Sequence, residues 1–234
     1  MRIMTYNIRF GELASLHQIG EYIAQNQPDF VALQELDCMT RRDRTPHQHN
    51  KNFITELGFY TKMFPLYGKT IPYKGGYYGI GMLTKYPYTE VCKVMLPKQK
   101  ETEEDRALLW AEIELPSGDT IVYASTHLDY SSSESRYAQL EQITRILEGL
   151  NRPVILGGDF NATPRSTEIK TFFKHWKPLS DDNVPTSPAS QPQNKIDFLF
   201  GFPTDCWRLL STKVDVSSLS DHLPVLSEIE FVRQ

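Results

Sequence analysis

The sequence predicts an α/β sandwich in which antiparallel sheets lie inside and helices cover them. Two observations carry this prediction. Some strand-like runs follow one another across a tight turn, as at 107–115 and 120–127, which Pro116-Ser117-Gly118-Asp119 joins. Helix-like segments separate other strands along the chain. Tight turns join antiparallel neighbours, so this mixture disfavours a doubly wound parallel sheet.

The first elements are predicted close to the N-terminus. A strand-like run at 3–8 precedes a segment at 16–23 whose apolar residues have helical spacing. Gln25-Asn26-Gln27-Pro28 is predicted to end that helix, because proline cannot continue it. A second strand-like run follows at 30–33.

The rest of the chain alternates further strands with one long helix. The Gly75-Gly76-Tyr77-Tyr78-Gly79 stretch predicts a mobile loop, and the Pro-, Ser- and Gln-rich residues 178–194 predict a long surface loop. Serines and helical spacing predict a helix from Ser133 to Leu150. Strands are predicted at 80–84, 107–115, 121–126, 154–156, 196–200 and 225–231.

Composition restricts the class of protein. The 234 residues are 40% hydrophobic and 23% charged, which is typical of a globular chain, and we expect one domain over 1–234 and a monomer. No run approaches the ~20 apolar residues that cross a bilayer, so no transmembrane segment is predicted. The net charge of −4 disfavours tight non-specific binding to DNA. A bound divalent metal would add positive charge that this count omits.

Cysteines and the N-terminus say little about the compartment. Three scattered cysteines without a CxxC pair make a disulfide framework or a zinc–thiolate site unexpected. Met1-Arg2 leads directly into a strand-like run, so no signal peptide is visible. A leader removed by processing would leave the same start, and both a cytoplasmic and an exported protein stay open.

Polar residues suited to chemistry repeatedly follow short apolar runs. Such positions are predicted ends of core strands, and strand ends on one rim of a sandwich can converge on a single site. The six endings are Asn7, Gln34-Glu35, His127-Leu128-Asp129, Asp159-Phe160-Asn161, Asp197 and Asp221-His222.

Each ending has an ordinary structural explanation when it is taken alone. Asn7 suits a turn, Asp159-Phe160-Asn161 suits an Asx turn, and His127 suits a half-buried core histidine. Six endings in one chain favour a site instead. Carboxylates and amides without cysteine are ligands for Mg²⁺, with Mn²⁺ as an alternative, rather than for zinc.

The same blocks resemble those of the endonuclease/exonuclease/phosphatase superfamily, which has the DNase I-like fold. The resemblance is highly specific as an ordered set, and it spans residues 6 to 222. It implies a four-layer sandwich and metal-dependent hydrolysis of a phosphate ester. The matching blocks are Tyr6-Asn7-Ile8, Leu33-Gln34-Glu35, Ser125-Thr126-His127-Leu128, Gly158-Asp159-Phe160-Asn161, Ile196-Asp197 and Ser220-Asp221-His222.

The resemblance also implies a role for each matching residue. For the metal, Glu35 resembles the main ligand, Asn7 its neighbour, and Asp221 a further contact to metal or water. For catalysis, Asp159 resembles the residue that activates water, and Asn161 the amide that steadies the phosphate. The remaining matches are His222, which contacts the phosphoryl oxygen, Asp197, which pairs with it, and His127, a second and variable phosphate-facing histidine.

Three further segments are candidates for binding substrate. Residues 41–51, with Arg41 and Arg42, fit either an anion-binding loop or a solvated one. Residues 57–89 have no acidic residue and contain seven of the twelve tyrosines, including Tyr78. They fit either a stacking platform or ordinary strand packing. Arg106 resembles an arginine near the phosphate pocket of many members, and it can equally pair with the acidic run before it.

We therefore expect a Mg²⁺-dependent phosphoesterase that hydrolyses a phosphodiester, with a small or single-stranded nucleic-acid-type substrate. Nucleic acid stays an open partner because the net charge does not favour a long duplex. A phospholipid or inositol-phosphate hydrolase of the same fold is the alternative within the enzymes. A catalytically silent binding module is the alternative of another class.

Overall fold

The computed structural model describes residues 1–233, and it contains two six-stranded sheets packed face to face. One sheet has the strand order β11-β12-β1-β2-β4-β3, and the other has the order β5-β6-β7-β8-β10-β9. The strands are β1 Arg2–Asn7, β2 Phe30–Cys38, β3 Phe64–Tyr73, β4 Gly76–Thr84, β5 Tyr88–Met95, β6 Ala107–Glu114, β7 Thr120–His127, β8 Val154–Asp159, β9 Lys177–Pro178, β10 Asp197–Phe202, β11 Trp207–Val214 and β12 Val225–Phe231.

Helices cover the outer face of each sheet, so the molecule has four layers. α1 (Leu16–Asn26) and α2 (Phe53–Thr61) pack on the first sheet, and α3 (Ser133–Gly149) and α4 (Thr167–Phe172) pack on the second. Aliphatic and aromatic side chains from both sheets fill the layer between them. The α/β sandwich predicted from the sequence is confirmed.

Each sheet contains one parallel pair among antiparallel neighbours. β1 and β2 are parallel, as are β7 and β8, and a helix connects the two members of each pair. Parallel strands need such a crossover because the chain must return to the same end of the sheet. The C-terminal ends of all four strands consequently lie at one edge of the sandwich.

The long helices begin where local chemistry predicts. α1 starts at a capping box, in which the Ser15 hydroxyl accepts from Gln18 N and the Gln18 side chain accepts from Ser15 N. α3 starts after Ser132, whose hydroxyl accepts from Ser135 N. Both helices agree with the predicted positions to within a few residues.

The prediction of a mobile loop at Gly75–Gly79 is wrong. Residues 76–79 belong to β4, and only Gly75 of the predicted stretch lies in the tight turn before that strand. Gly76 and Gly79 pair closely with neighbouring backbone, since a β-carbon at either position would collide with main-chain carbonyl groups of Cys38 or Gly68. Glycine here permits close strand packing rather than mobility.

Candidate active site

Strand ends bring the polar residues together at one edge. Asn7 ends β1, His127 ends β7, Asp159 ends β8 and Asp197 begins the antiparallel β10. Within the second sheet Asp159 lies opposite both His127 and Asp197. The sheet topology therefore explains why residues far apart in sequence share one site.

A β-bulge in the first sheet sets the position of Glu35. The register between β2 and β4 shifts between Leu33 and Leu36, and Glu35 has a positive φ of 60°. Non-glycine residues adopt this left-handed region at an energetic cost, so the bulge is a fixed feature that aims the carboxylate. Burial raises the pKa of Glu35, and the hydrogen bond from Asn7 and the charge of His222 oppose that shift.

Asn7 links the two acidic sides of the site. Its Nδ2 donates to Oε1 of Glu35 and to Oδ2 of Asp159, each at 3.0 Å. Its Oδ1 accepts from the backbone N–H of Arg9 at 3.0 Å. This third contact fixes the amide so that its donor group faces both carboxylates.

Asp159, Asp197 and His222 form a buried charged cluster. Nδ1 of His222 lies 2.9 Å from Oδ2 of Asp197 and 3.7 Å from Oδ2 of Asp159. Burial alone would lower the pKa of His222, but the charges of Asp197 and Asp159 and the hydrogen bond to Asp197 raise it to about 10. The imidazole therefore carries its proton at neutral pH, with Nδ1 donating to Asp197.

The pKa of the Asp159 carboxyl is shifted in the direction that suits a general base. Burial and the neighbouring charge of Asp197 raise its pKa to about 7, although His222 partly opposes this. Its Oδ1 accepts from Asn161 N at 2.9 Å and its Oδ2 accepts from Asn7. Such a carboxylate binds a proton much more readily than an exposed aspartate does.

The second histidine is neutral. Burial and the charges of Arg106 and His222 hold the pKa of His127 well below its usual range. Its Nε2 lies 3.0 Å from Nδ2 of Asn161, which also donates to Leu128 O. A neutral ring accepts this bond at Nε2, so His127 orients the Asn161 amide.

Arg106 lies beneath the site, paired with an acid and close to several site residues. It is only 4% exposed, and its Nη1 lies 3.0 Å from Oε1 of Glu104. Its charge also acts on Glu35, His127 and Tyr78. Tyr78 is buried beside Glu35, and burial together with the Glu35 charge raises its pKa well above the ordinary value.

Asp221 is more exposed than Asp159 and Asp197, and its charge acts on both Glu35 and His222. Its Oδ2 is 2.6 Å from Nη1 of Arg9, and its backbone oxygen accepts from Ala189 N at 2.6 Å. Ser220, its neighbour, donates through Oγ to the backbone oxygen of Asn7. These contacts fasten the segment before His222 to the end of β1.

The basic loop at 41–51 is fastened to β2 by an ion pair. Arg42 donates from Nε and Nη2 to the two oxygens of Asp37, each at 2.9 Å, and its guanidinium lies over the rings of Phe10 and Tyr73. Arg41 instead donates to Asn50 at the exposed surface. The structure therefore groups neither arginine with the cluster around Asp159.

A divalent cation fits the Glu35 side of the site. No group among residues 1–233 donates a hydrogen bond to Oε2 of Glu35, whereas Oε1 accepts from Asn7. Asp159, Asp197 and His222 also bring ligand atoms within 4.8 Å of one another, but His222 and Asp197 already bond to each other. An oxygen-only position at Glu35 suits a hard cation such as Mg²⁺.

One neighbour of the site was not predicted from the sequence. Arg9 pairs with Asp221, and nothing local in the sequence shows this contact. The acidic run before Arg106, which the sequence offered as a partner, supplies Glu104. Gln34, part of the predicted ending Gln34-Glu35, is fully buried between the sheets, near Thr5 and Ser125.

The chain belongs to the Endonuclease/Exonuclease/phosphatase family, which its residues 4–222 match. Exodeoxyribonuclease III of Haemophilus influenzae is 24% identical over 181 residues. The match covers 72% of this chain and 60% of that relative, so the chain spans about three fifths of its length. The family consists of hydrolases that include nucleases and phosphatases, and its enzymes generally use divalent metals.

Solved structures share the fold at low identity. The endonuclease/exonuclease/phosphatase from Bacteroides vulgatus has a TM-score of 0.80 and 20% identity, covering 99% of this chain and 98% of that one. A mannosyl-6-phosphatase from Bacteroides thetaiotaomicron has a TM-score of 0.77 and 15% identity, covering 99% and 100%. The human Nocturnin catalytic domain has a TM-score of 0.73 and 21% identity, covering 99% and 94%.

Two surface properties complete the description. No helix within residues 1–233 is long and apolar enough to cross a membrane. A cavity of about 710 Å³ is lined by residues such as Arg2, Asp29 and Lys62. Arg2 begins β1 whereas Asn7 ends it, so this cavity lies at the far end of the strands from the site.

Proposed function

We propose that this protein is a divalent-metal-dependent phosphoesterase that hydrolyses a phosphodiester, with Mg²⁺ as the metal and Mn²⁺ as a substitute. One observation carries the proposal. A buried carboxylate with a raised pKa, Asp159, and a protonated imidazole, His222, lie side by side at the edge where Glu35 offers a free carboxylate oxygen. Together these groups can activate a water molecule and neutralise the charge of a phosphate in one site.

Asp159 is the residue we assign to water activation. Its raised pKa gives it affinity for the proton of an attacking water, and the hydrogen bonds from Asn161 and Asn7 hold it in place while opposing that rise only in part. The Asn161 amide, oriented by His127, contacts the phosphate or the water. Positioning of this kind supplies much of the rate in phosphoryl transfer.

His222 is assigned to the developing negative charge. Its Nδ1 is held by Asp197, so its Nε2–H is the group left to donate to a phosphoryl oxygen. Arg106 adds fixed positive charge beneath the site. A cation held by Glu35 supplies Lewis-acid polarisation of the phosphate when it is bound.

The substrate we favour is small or single-stranded. The net charge of −4 and the internally paired Arg42 offer little for a long duplex. Similarity to an exodeoxyribonuclease III supports a nucleic-acid-type ester. Tyr78 is buried, so any role for it is electrostatic, whereas exposed Arg41 remains a candidate contact.

A sugar phosphomonoester is the second candidate substrate. The similar structure from Bacteroides thetaiotaomicron is that of a mannosyl-6-phosphatase. The cationic groups of His222 and Arg106 at one edge also suit the extra negative charge of a monoester. The two candidates share the same site and differ only in the group that must be accommodated beside it.

A substrate panel tests the proposal. Bis-aryl phosphodiester, aryl monoester, single-stranded DNA, RNA and mannose 6-phosphate are incubated with Mg²⁺, Mn²⁺ or EDTA. We expect hydrolysis that EDTA abolishes and that Glu35→Gln loses. Glu114→Gln is the matched control, because Glu114 is exposed and pairs with Thr120 at the far end of β7 from His127. An absence of turnover under every condition would support the silent binding module instead.

A further inference from the structure

The carboxylate of Asp221 is engaged by a guanidinium. Its Oδ2 lies 2.6 Å from Nη1 of Arg9, and Oδ1 is 3.4 Å from the Ser220 hydroxyl. The backbone of Asp221 is held at the same time by Ala189 N. One oxygen of the side chain is thus occupied by an arginine that follows the end of β1.

Arg9 is itself held in place by a chain of charges. Its Nε lies 2.7 Å from Oε2 of Glu12, and Glu12 receives two further bonds from Arg44 at 2.7 Å. Arg9 and its neighbour Phe10 both have a φ of 45°, so the backbone here is also constrained. The ionic chain Arg44–Glu12–Arg9–Asp221 leaves the guanidinium little freedom to leave Asp221.

The same arginine occupies a second oxygen of the site. Its backbone N–H donates to Oδ1 of Asn7, the amide oxygen that a hard cation would otherwise use. Glu35 keeps a carboxylate oxygen that no group among residues 1–233 bonds. Of the three residues expected to ligate metal from the sequence, only Glu35 is not contacted by Arg9.

We propose that Arg9 withholds Asp221 from the metal centre, so that the protein binds a single divalent ion at Glu35. The inference rests on the metal dependence proposed above and concerns the number of ions that bind. A second cation near Asp221 would face the positive guanidinium at close range, and like charges in a partly buried site repel strongly. Arg9 is thereby a specificity-determining residue for the number of ions.

The test counts bound Mn²⁺ by the loss of its free electron-paramagnetic-resonance signal. We expect one ion for the wild type, two for Arg9→Gln, and one again for the double variant Arg9→Gln/Asp221→Asn. Arg44→Gln is the matched control, since it breaks the far end of the ionic chain without freeing Asp221, and it retains one ion. Circular dichroism of each variant verifies the fold.

Asp221→Asn in the wild-type background provides a measurement that does not depend on Arg9 variants folding. We expect its Mn²⁺ affinity to change by less than about tenfold, because loss of a ligand or of its supporting partner costs about 10–100-fold or more. A larger loss, two ions in the wild type, or one ion in folded Arg9→Gln would each overturn the inference. No Mn²⁺ bound by the wild type would instead refute the metal dependence itself.

Discussion

Two aspartates in this protein are equally buried and have opposite surroundings. Asp37 and Asp159 are each 1% exposed. Asp37 accepts two hydrogen bonds from the Arg42 guanidinium and one from Thr40. Asp159 accepts only from neutral groups of Asn7 and Asn161, and it lies beside Asp197.

The difference shows how one residue type serves two purposes. A buried carboxylate that meets a bidentate arginine is compensated, and the pair fastens the 41–51 loop to the sandwich. A buried carboxylate that accepts only from amides and lies beside another acid keeps a raised pKa and affinity for a proton, even with the charge of His222 3.7 Å away. The first arrangement favours stability, and the second favours chemistry at the expense of stability.

The largest expected effect comes from removing the carboxylate of Asp159. Asp159→Asn keeps the shape but cannot take a proton, so we expect kcat to fall about 10⁴-fold, the upper range for a general base. Because the pKa of Asp159 is raised from 3.8 to about 7, its charged form is disfavoured in the folded state at neutral pH. Thermal melting of Asp159→Asn is therefore expected at or above the wild-type temperature. A fall in both activity and melting temperature would break the comparison.

Removing the partner of Asp37 should have the opposite outcome. Arg42→Ala leaves a buried carboxylate without its cation, and we expect the free energy of unfolding to fall by about 3–5 kcal/mol. Urea denaturation measures this, with Arg41→Ala as the matched control, because the side chain of Arg41 donates to Asn50 at the exposed surface and not to a buried acid. A loss below about 1 kcal/mol, as for an exposed ion pair, would contradict a stabilising role for the Asp37–Arg42 pair.

A third variant tests His222, the protonated imidazole beside Asp159. His222→Ala removes the proton donor held by Asp197, and we expect kcat to fall about 10²–10³-fold, as when one oxyanion donor is lost. His17→Ala is the control, since His17 lies on the exposed side of α1. Steady-state rates with saturating Mg²⁺ measure the effect, and wild-type activity in His222→Ala would remove His222 from the catalytic set.

The smallest expected effect is the pH dependence of the wild type. Asp159 must be deprotonated, so kcat/KM should rise about tenfold per pH unit below its pKa of about 7. His222 must be protonated, so the rate should fall again as pH rises through about 10. His222→Gln is expected to lose the alkaline limb and to move the acidic limb to higher pH, because the charge of His222 lowers the pKa of Asp159. A flat profile between pH 5 and 7 would contradict the assignment of Asp159.

Local sequence features predicted the elements whose signals are themselves local. α1 and α3 have serine caps and helical spacing, and most strand ends were located because an apolar run stops at a polar residue. α2 was missed, since Phe53–Thr61 is rich in aromatic and β-branched residues that favour strands. The Gly75–Gly79 stretch was misassigned because glycine signals loops and close strand packing alike.

The sequence did not predict which charged residues pair with each other in the folded protein. The basic composition of 41–51 predicted a loop that either binds anions or is solvated, and neither alternative included the bidentate Asp37 that holds Arg42. Asp221 was expected to contact metal or water. Its ion pair with Arg9 could not be predicted, because the two residues lie 212 positions apart in the sequence. A charge count treats every arginine as free, and only the tertiary structure shows which ones already have a partner.

The position of β1 has a consequence for how the molecule is assembled. β1 lies between β2 and β12, and Arg2 pairs with Glu228, 226 residues later. Strands β5 to β10, by contrast, come from one continuous stretch and can complete their sheet first. Contacts between distant parts of a chain form slowly. During synthesis, one side of β1 therefore stays unpaired until β12 emerges, and the site edge carrying Asn7 is completed only after Ser220 and the residues that follow it have been made.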